Sequence, residues 1–281
     1  MAEDIKTLWA KDQVDDFAER WAKYWKAPGR PTPQEIDFLR DFISKKQQSG
    51  NVDVLILGST TEYRDLMFEL GIKPTIVDIS LKNYKTLSQA LKHGDDYQNR
   101  ETFFEQKWQE ISIDKKFDIV LGHFALGVNP FDTWKKVLRS VHDHLKDGGL
   151  LITNNWINDG NKMTIDDVAK EYKEKWQKEH TLFGSMMPKI FLTARNEKNE
   201  VHYPDLCNII DQAHIQGKIS DEDYKYYEDS GFQGRDNFVL FIPSEEEFRQ
   251  LVGEYFTIQE KVILEPYPNA YLMPEWVLQK K

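Results

Sequence analysis

Cysteine is almost missing from this chain. Cys207 is the single one among 281 residues, so no intramolecular disulfide can form and a reducing cytoplasm is the expected compartment. No apolar run approaches the ~18 residues a membrane-spanning helix needs, so no membrane association is expected. The opening Met1-Ala2-Glu3-Asp4 is acidic and has no apolar stretch behind it, which is not the pattern of a secretory leader. Positive charge is also in short supply: 37 Lys and Arg stand against 47 Asp and Glu, for a net charge of -10. Nucleic-acid binders need a basic face to displace counterions, so no nucleic-acid partner is expected, and a small neutral or cationic molecule fits better. Neither a Gly-x-Ser-x-Gly elbow, nor a Walker loop, nor a His-Glu-x-x-His stretch is present, so the common hydrolase, phosphatase and zinc-protease chemistries lack their parts. His202 and Asp205 stand close as possible metal ligands, but nothing supplies a third and no metal is expected.

What is present is a soluble, charged composition, with 40% hydrophobic and 13% aromatic residues and a mean hydropathy of -0.64. The informative stretch runs from Asp53 to Ser80. Val54-Leu55-Ile56-Leu57 is an apolar run without helical period, which reads as a strand buried on both faces. The turn Gly58-Ser59-Thr60-Thr61-Glu62 follows, then a helix with Leu66, Met67 and Leu70 on one face, closed by Gly71. Thr75-Ile76-Val77 is the next strand, and Asp78 stands at its carboxyl tip. In a parallel sheet these tips are neighbours and the crevice above them binds ligands.

The turn disfavours a pyrophosphate. A dinucleotide fingerprint needs three glycines so that backbone can close on phosphates; here Thr60 and Tyr63 occupy two of those places, and Glu62 brings negative charge. A ligand with ribose hydroxyls for Asp78, cationic groups near the turn and no phosphate fits better. S-adenosylmethionine has that description.

The same residues carry a family resemblance. Residues 54–62 and Thr75-Ile76-Val77-Asp78-Ile79-Ser80 resemble the first two motifs of the class I S-adenosylmethionine-dependent methyltransferases. Phe117-Asp118-Ile119-Val120-Leu121-Gly122-His123 resembles their strand beside the methyl group, and residues 145–152 resemble their fifth strand with the helix end before it. The chain departs from the family at Ile56, where an acid is usual, at Thr60 and Glu62, where glycines are usual, and at Gln106-Lys107-Trp108, which lacks the usual acidic turn. The resemblance implies an α/β fold: a doubly wound, mostly parallel seven-stranded sheet with an antiparallel edge strand, plus N-terminal helices and an α-rich lid insertion. It implies S-adenosylmethionine held by Gly58, Ser59, Thr60, Glu62, Asp78, Ile79, Lys107, Trp108 and His123. An N-terminal segment of the family lies across the cofactor mouth, which adds Tyr24, Trp25 and Arg30, the last able to pair with the methionine carboxylate; a surface arginine tying the loop to the core is the alternative for Arg30. His123 is the candidate catalytic base or cofactor contact; a structural histidine in a turn is the alternative.

In chain order, residues 1–50 form an N-terminal helical segment, with a helix over 4–26 carrying Trp9, Trp21 and Trp25, a Pro-rich break, and a second helix opened by a capping box at Thr32 and Glu35. Residues 51–156 and 237–281 read as the core. Residues 157–236 read as an insertion over the crevice, an acceptor lid or else a dimerisation cover. Within it, the apolar runs near 190–192 and 201–203, parted by Asn196-Glu197-Lys198-Asn199, suggest a hairpin. The core sheet is expected to resume at Phe238–Ile242. The function expected is methyl transfer to a small molecule by a monomer or homodimer. A non-catalytic cofactor-binding scaffold and, further off, a nucleotide-dependent oxidoreductase are the alternatives.

Overall fold

The computed structural model describes residues 23–27, 29–92, 94–230, 238–265 and 267–281. The helix expected over 4–26 lies outside these except for its last residues, as do residues 231–236 of the expected insertion.

The core is one seven-stranded sheet. Strand β1 (Val54–Leu57) is buried along its whole length and pairs in parallel with β2 (Thr75–Asp78) on one side and β4 (Phe117–Gly122) on the other. With β3 (Thr102–Glu105), β5 (Leu145–Asn154), β8 (Phe256–Val262) and β9 (Glu275–Lys280), the order is β3-β2-β1-β4-β5-β9-β8. All pairs are parallel as far as β5; β9 runs antiparallel to both β5 and β8, one place in from the edge.

Side chains of β1 alternate across the sheet. Val54 and Ile56 meet α1 (Pro33–Gln47) and α2 (Thr61–Glu69), whose Leu39, Ile43, Leu66 and Met67 are buried there. Leu55 and Leu57 meet α4 (Trp134–His144) and α9 (Glu245–Val252) through Trp134, Leu138, Val141 and Phe248. Helix α3 (Leu81–Ser88) links β2 towards β3. A strand covered on both faces has no solvated side to carry polar residues, and this is why β1 reads as an unbroken apolar run.

Residues from 158–230 and 238–242, joined by Trp156 and Leu272, build a separate apolar cluster. Its helices are α5 (Ile165–Glu171), α6 (Met187–Thr193), α7 (Tyr203–Ile215) and α8 (Asp221–Asp229). Two expectations fail here. The main sheet does not resume at 238–242: β7 (Val239–Phe241) pairs antiparallel with β6 (Glu200–His202) in a two-stranded sheet, with Val201 and Leu240 buried in the lid. Nor do 190–192 and 201–203 form a hairpin, since 190–192 lie inside α6, which Pro188 opens. A three-residue apolar run fits any half-buried edge, so tertiary neighbours decide its partner. At the base, the Asn158 N–H donates to the Pro243 carbonyl at 2.8 Å and its amide donates to the Ile242 carbonyl at 2.6 Å, so the ends of the insertion lie together.

A buried ion pair fixes the β2–β3 side. The Arg64 guanidinium on α2 donates to both carboxylate oxygens of Glu101, at 2.7 and 2.9 Å, and to the Ser88 hydroxyl at 2.6 Å. Burial pushes the Glu101 carboxyl above its ordinary range even with Arg64 beside it, so desolvation outweighs the pairing. Arg64→Met leaves that carboxylate uncompensated and is expected to lower the unfolding free energy by about 3–5 kcal/mol. Urea unfolding checks this, and the Arg64→Met/Glu101→Met double variant should recover part of the loss.

Candidate functional site

The registers Leu57↔Val77, Ile56↔Leu121 and Gly122↔Thr153 bring the tips of β1, β2, β4 and β5 to one level. Above them lies a cavity of about 230 Å³, lined on its far side by Met187, Phe191, Tyr203, Phe238 and Leu240 of the insertion and the segment after it. Of the residues expected to hold a cofactor, Gly58, Ser59, Thr60, Asp78, Ile79 and His123 line it from the strand tips. Trp25, Lys107 and Trp108 line it from the flanking segments.

Asp78 is held rigidly. Its Oδ2 accepts from the Ser59 hydroxyl at 2.6 Å and its Oδ1 from the Ser80 N–H at 3.1 Å. Burial raises its pKa, and those two donors oppose the rise. Gly58 turns the chain with φ +86°, and its N–H donates to the Val77 carbonyl at 2.8 Å. The Trp108 indole N–H donates to that carbonyl too, at 2.8 Å, and a Cβ on Gly58 would stand 3.2 Å from the Trp108 ring. Glycine therefore meets two demands here, a positive φ and a close approach.

Three of the expected residues do not line the cavity. Arg30 donates from Nε to Glu62 at 2.7 Å, so the cation and the turn's carboxylate hold each other. Tyr24 docks on the lid: its hydroxyl donates to Asp229 on α8 at 3.1 Å, and its carbonyl accepts from the Tyr226 hydroxyl.

Behind His123 is a buried polar cluster that the sequence did not reveal. Its Nδ1 stands 3.2 Å from Glu35 Oε1 and 2.9 Å from the Asn154 amide nitrogen. Asn154 Oδ1 accepts from the Phe124 N–H at 2.6 Å, which directs its NH2 towards His123 and towards Glu35 Oε2, at 3.2 Å. The Tyr63 hydroxyl donates to Glu35 Oε1. The expected capping box is therefore only half formed: Thr32 accepts from the Glu35 N–H at 3.0 Å, but the Glu35 carboxylate turns inward instead of back to the cap. Glu275, at the start of β9 and 1% exposed, faces the same cluster. Its Oε1 has no hydrogen-bond partner among the described residues. Burial, then the charge of Glu35, push the Glu275 carboxyl well above its ordinary range; the same causes in the same order raise Tyr63.

Phe124 follows His123 with φ +52°, a left-handed conformation that costs a non-glycine residue about 1–3 kcal/mol. Its ring lies over Gly127, where a Cβ would come within 2.1 Å of it. Gly127 thus makes room for the neighbouring ring.

Strand order, parallel pairing and the antiparallel β9 together define the class I S-adenosylmethionine-dependent methyltransferase fold. No family model and no curated protein sequence matches the chain. Among solved structures, the magnesium protoporphyrin IX methyltransferase of Synechocystis PCC 6803 with bound S-adenosylhomocysteine superposes with a TM-score of 0.56 at 14% identity, over 99% of this chain and 100% of that one. A putative Zn-dependent alcohol dehydrogenase from Rhodobacter sphaeroides gives 0.58 at 17% identity, over 96% and 100%. The glycopeptide N-methyltransferase MtfA with S-adenosylmethionine gives 0.51 at 12%, over 86% and 93%. At these identities the likeness is one of fold. Among the described residues no group of three or more His, Cys, Asp and Glu is placed to hold a metal ion.

The cluster has a measurable signature. Glu275 binds its proton more tightly folded than unfolded, so its contribution to stability is complete below the unfolded pKa and is lost as pH rises towards the folded value. Glu275→Gln, which mimics the protonated acid, is expected to flatten the fall in unfolding free energy as pH rises above the ordinary carboxylate range and to match or exceed the wild type once that fall is complete. Urea titrations over that rise in pH test it.

Proposed function

We propose that the chain is an S-adenosylmethionine-dependent methyltransferase acting on a small molecule, with residues 157–236 as the acceptor lid and the reducing cytoplasm as its compartment. The observation that carries the reading is the buried Asp78 at the tip of β2, facing a cavity floored by Gly58. Each carboxylate oxygen accepts more than one hydrogen bond, so Asp78 can take ribose hydroxyls beside the donors it already has. The turn fits a ligand without phosphates: Glu62 occupies Arg30, and among the described lining residues Lys107 is the one with a permanent positive charge. Gly58, Ser59, Thr60, Ile79, Trp108 and Trp25 would surround the nucleoside and its tail.

When bound, the cofactor supplies an electrophilic methyl group on a sulfonium. Displacement at such a carbon needs alignment and exclusion of water more than a protein nucleophile. The apolar lid side chains exclude water from the far side of the cavity, and the rigid strand tips set the alignment. His123 is suited to take a proton at Nε2 in the tautomer whose Nδ1–H donates to Glu35 Oε1.

Isothermal titration is expected to give a micromolar Kd for S-adenosylhomocysteine, with Asp78→Ala weaker by about tenfold, or ~1.4 kcal/mol. No heat with either S-adenosylhomocysteine or S-adenosylmethionine would overturn the proposal. A thermal-shift series adds contrast: S-adenosylhomocysteine at 100 times its Kd should stabilise the fold by about 2.7 kcal/mol, whereas NAD should leave it unmoved. Stabilisation by NAD instead would favour an oxidoreductase, and binding without turnover over a broad acceptor panel would favour a scaffold.

A further inference from the structure

The lid half of the cavity is a continuous row of aromatic rings. Phe124 meets Trp156 at 4.5 Å between centroids, Trp156 meets Phe191 at 4.8 Å, Phe191 meets Tyr203 at 5.6 Å and Tyr203 meets Phe238 at 5.0 Å. All five line the cavity. Every contact is tilted or edge-on, so the rings form a curved wall rather than a stack. The charged side chains lining the cavity, among the described residues, are Asp78 and Lys107, with His123 as the third ionisable group apart from Tyr203. Asp78 belongs to the strand tip assigned to the ribose, so the aromatic half offers an incoming molecule no carboxylate.

We infer that the acceptor is an uncharged aromatic alcohol, a phenol, seated against this row with its hydroxyl turned to His123. This rests on the methyltransferase reading above and adds the substrate class. A flat aromatic body gains offset and edge-to-face contacts with such a wall beyond the gain from apolar burial. A carboxylate would enter a low-dielectric pocket with no paired cation on the aromatic side. An ammonium can face aromatic rings favourably, but here it would sit beside the sulfonium of the methyl donor, where two like charges repel strongly with little water between them.

A neutral hydroxyl also accounts for a histidine braced from behind. As the O–H bond breaks, its proton passes to the imidazole while the oxygen forms a bond to the methyl carbon. The carbon–sulfur bond breaks with its electron pair on sulfur, leaving a neutral thioether, an aryl methyl ether and an imidazolium. Glu35 and Asn154 act through His123 and are positioning residues: in the tautomer that takes the proton at Nε2, Nδ1–H donates to Glu35 Oε1 at 3.2 Å, and the Asn154 amide nitrogen stands 2.9 Å from the same ring nitrogen. The strained Phe124 backbone ties the two functions together, because its N–H orients Asn154 and its ring starts the aromatic row.

The test uses the full chain and four probes: 2-naphthol, 2-naphthoate, a naphthyltrimethylammonium ion and S-adenosylhomocysteine. Calorimetry with and without saturating S-adenosylhomocysteine should give naphthol binding at least about tenfold tighter than either charged analogue. Phe238→Ala, at a partly exposed position, should weaken naphthol by about three- to tenfold without changing S-adenosylhomocysteine affinity. With S-adenosylmethionine present, 2-methoxynaphthalene should form, and His123→Asn should lower kcat far more than it changes the KM for naphthol. No heat with naphthol, equal or tighter binding of a charged analogue, or no response to Phe238→Ala would overturn the assignment. Failure of S-adenosylhomocysteine to bind while naphthol does would instead strike the cofactor reading, so the two failures are distinguishable.

Discussion

One buried carboxylate holds the strand-tip end of this molecule together. Glu35 starts in the first turn of α1, yet its oxygens reach Tyr63 on α2, His123 beyond β4 and Asn154 at the end of β5, and Glu275 of β9 lies against it. Five segments distant in sequence are thereby indexed to one side chain. Such a cluster is demanding: in a low dielectric a satisfied network specifies one arrangement, and a half-satisfied one costs more than an apolar core. Because the cluster lies directly beneath the strand tips, the positions of His123 and Phe124 inherit its rigidity.

The core was legible because its signals are local. β1 and β2 are short apolar runs bounded by Gly58 and Asp78, and Gly71 closes α2 with φ +68°, as its place after an amphipathic run implies. The seven-strand order followed from the resemblance and not from periodicity. What escaped was set by tertiary contact. Val239–Phe241 carries no mark of the sheet it joins, and the strand it pairs with lies some forty residues earlier, in the lid. Glu35 matched a capping pattern so well that its inward turn could not be read; the one hint was Tyr63, a bulky hydroxyl where a nucleotide-binding turn would carry glycine. Tyr24 and Arg30 stand beside the crevice in sequence, but Asp229 and Glu62 are nearer partners for them.

Two economies of design coincide at the tip of β4. The left-handed backbone at Phe124 and the missing side chain at Gly127 together swing an aromatic ring from the sheet into the lid's wall. Without that reversal the chain would leave the strand tip in an extended direction, and the row of rings would begin at Trp156. Local strain here has a geometric product, which is the usual reason such strain persists at a site.

The hydrogen bonds from Asn158 to the segment just before α9 clasp the insertion at its neck. A chain whose two ends already meet can be lengthened or rebuilt at little entropic penalty, about 0.6 kcal/mol for each doubling of its length. The insertion and the strand tips are therefore free to diversify separately: the same sheet can carry a succession of covers.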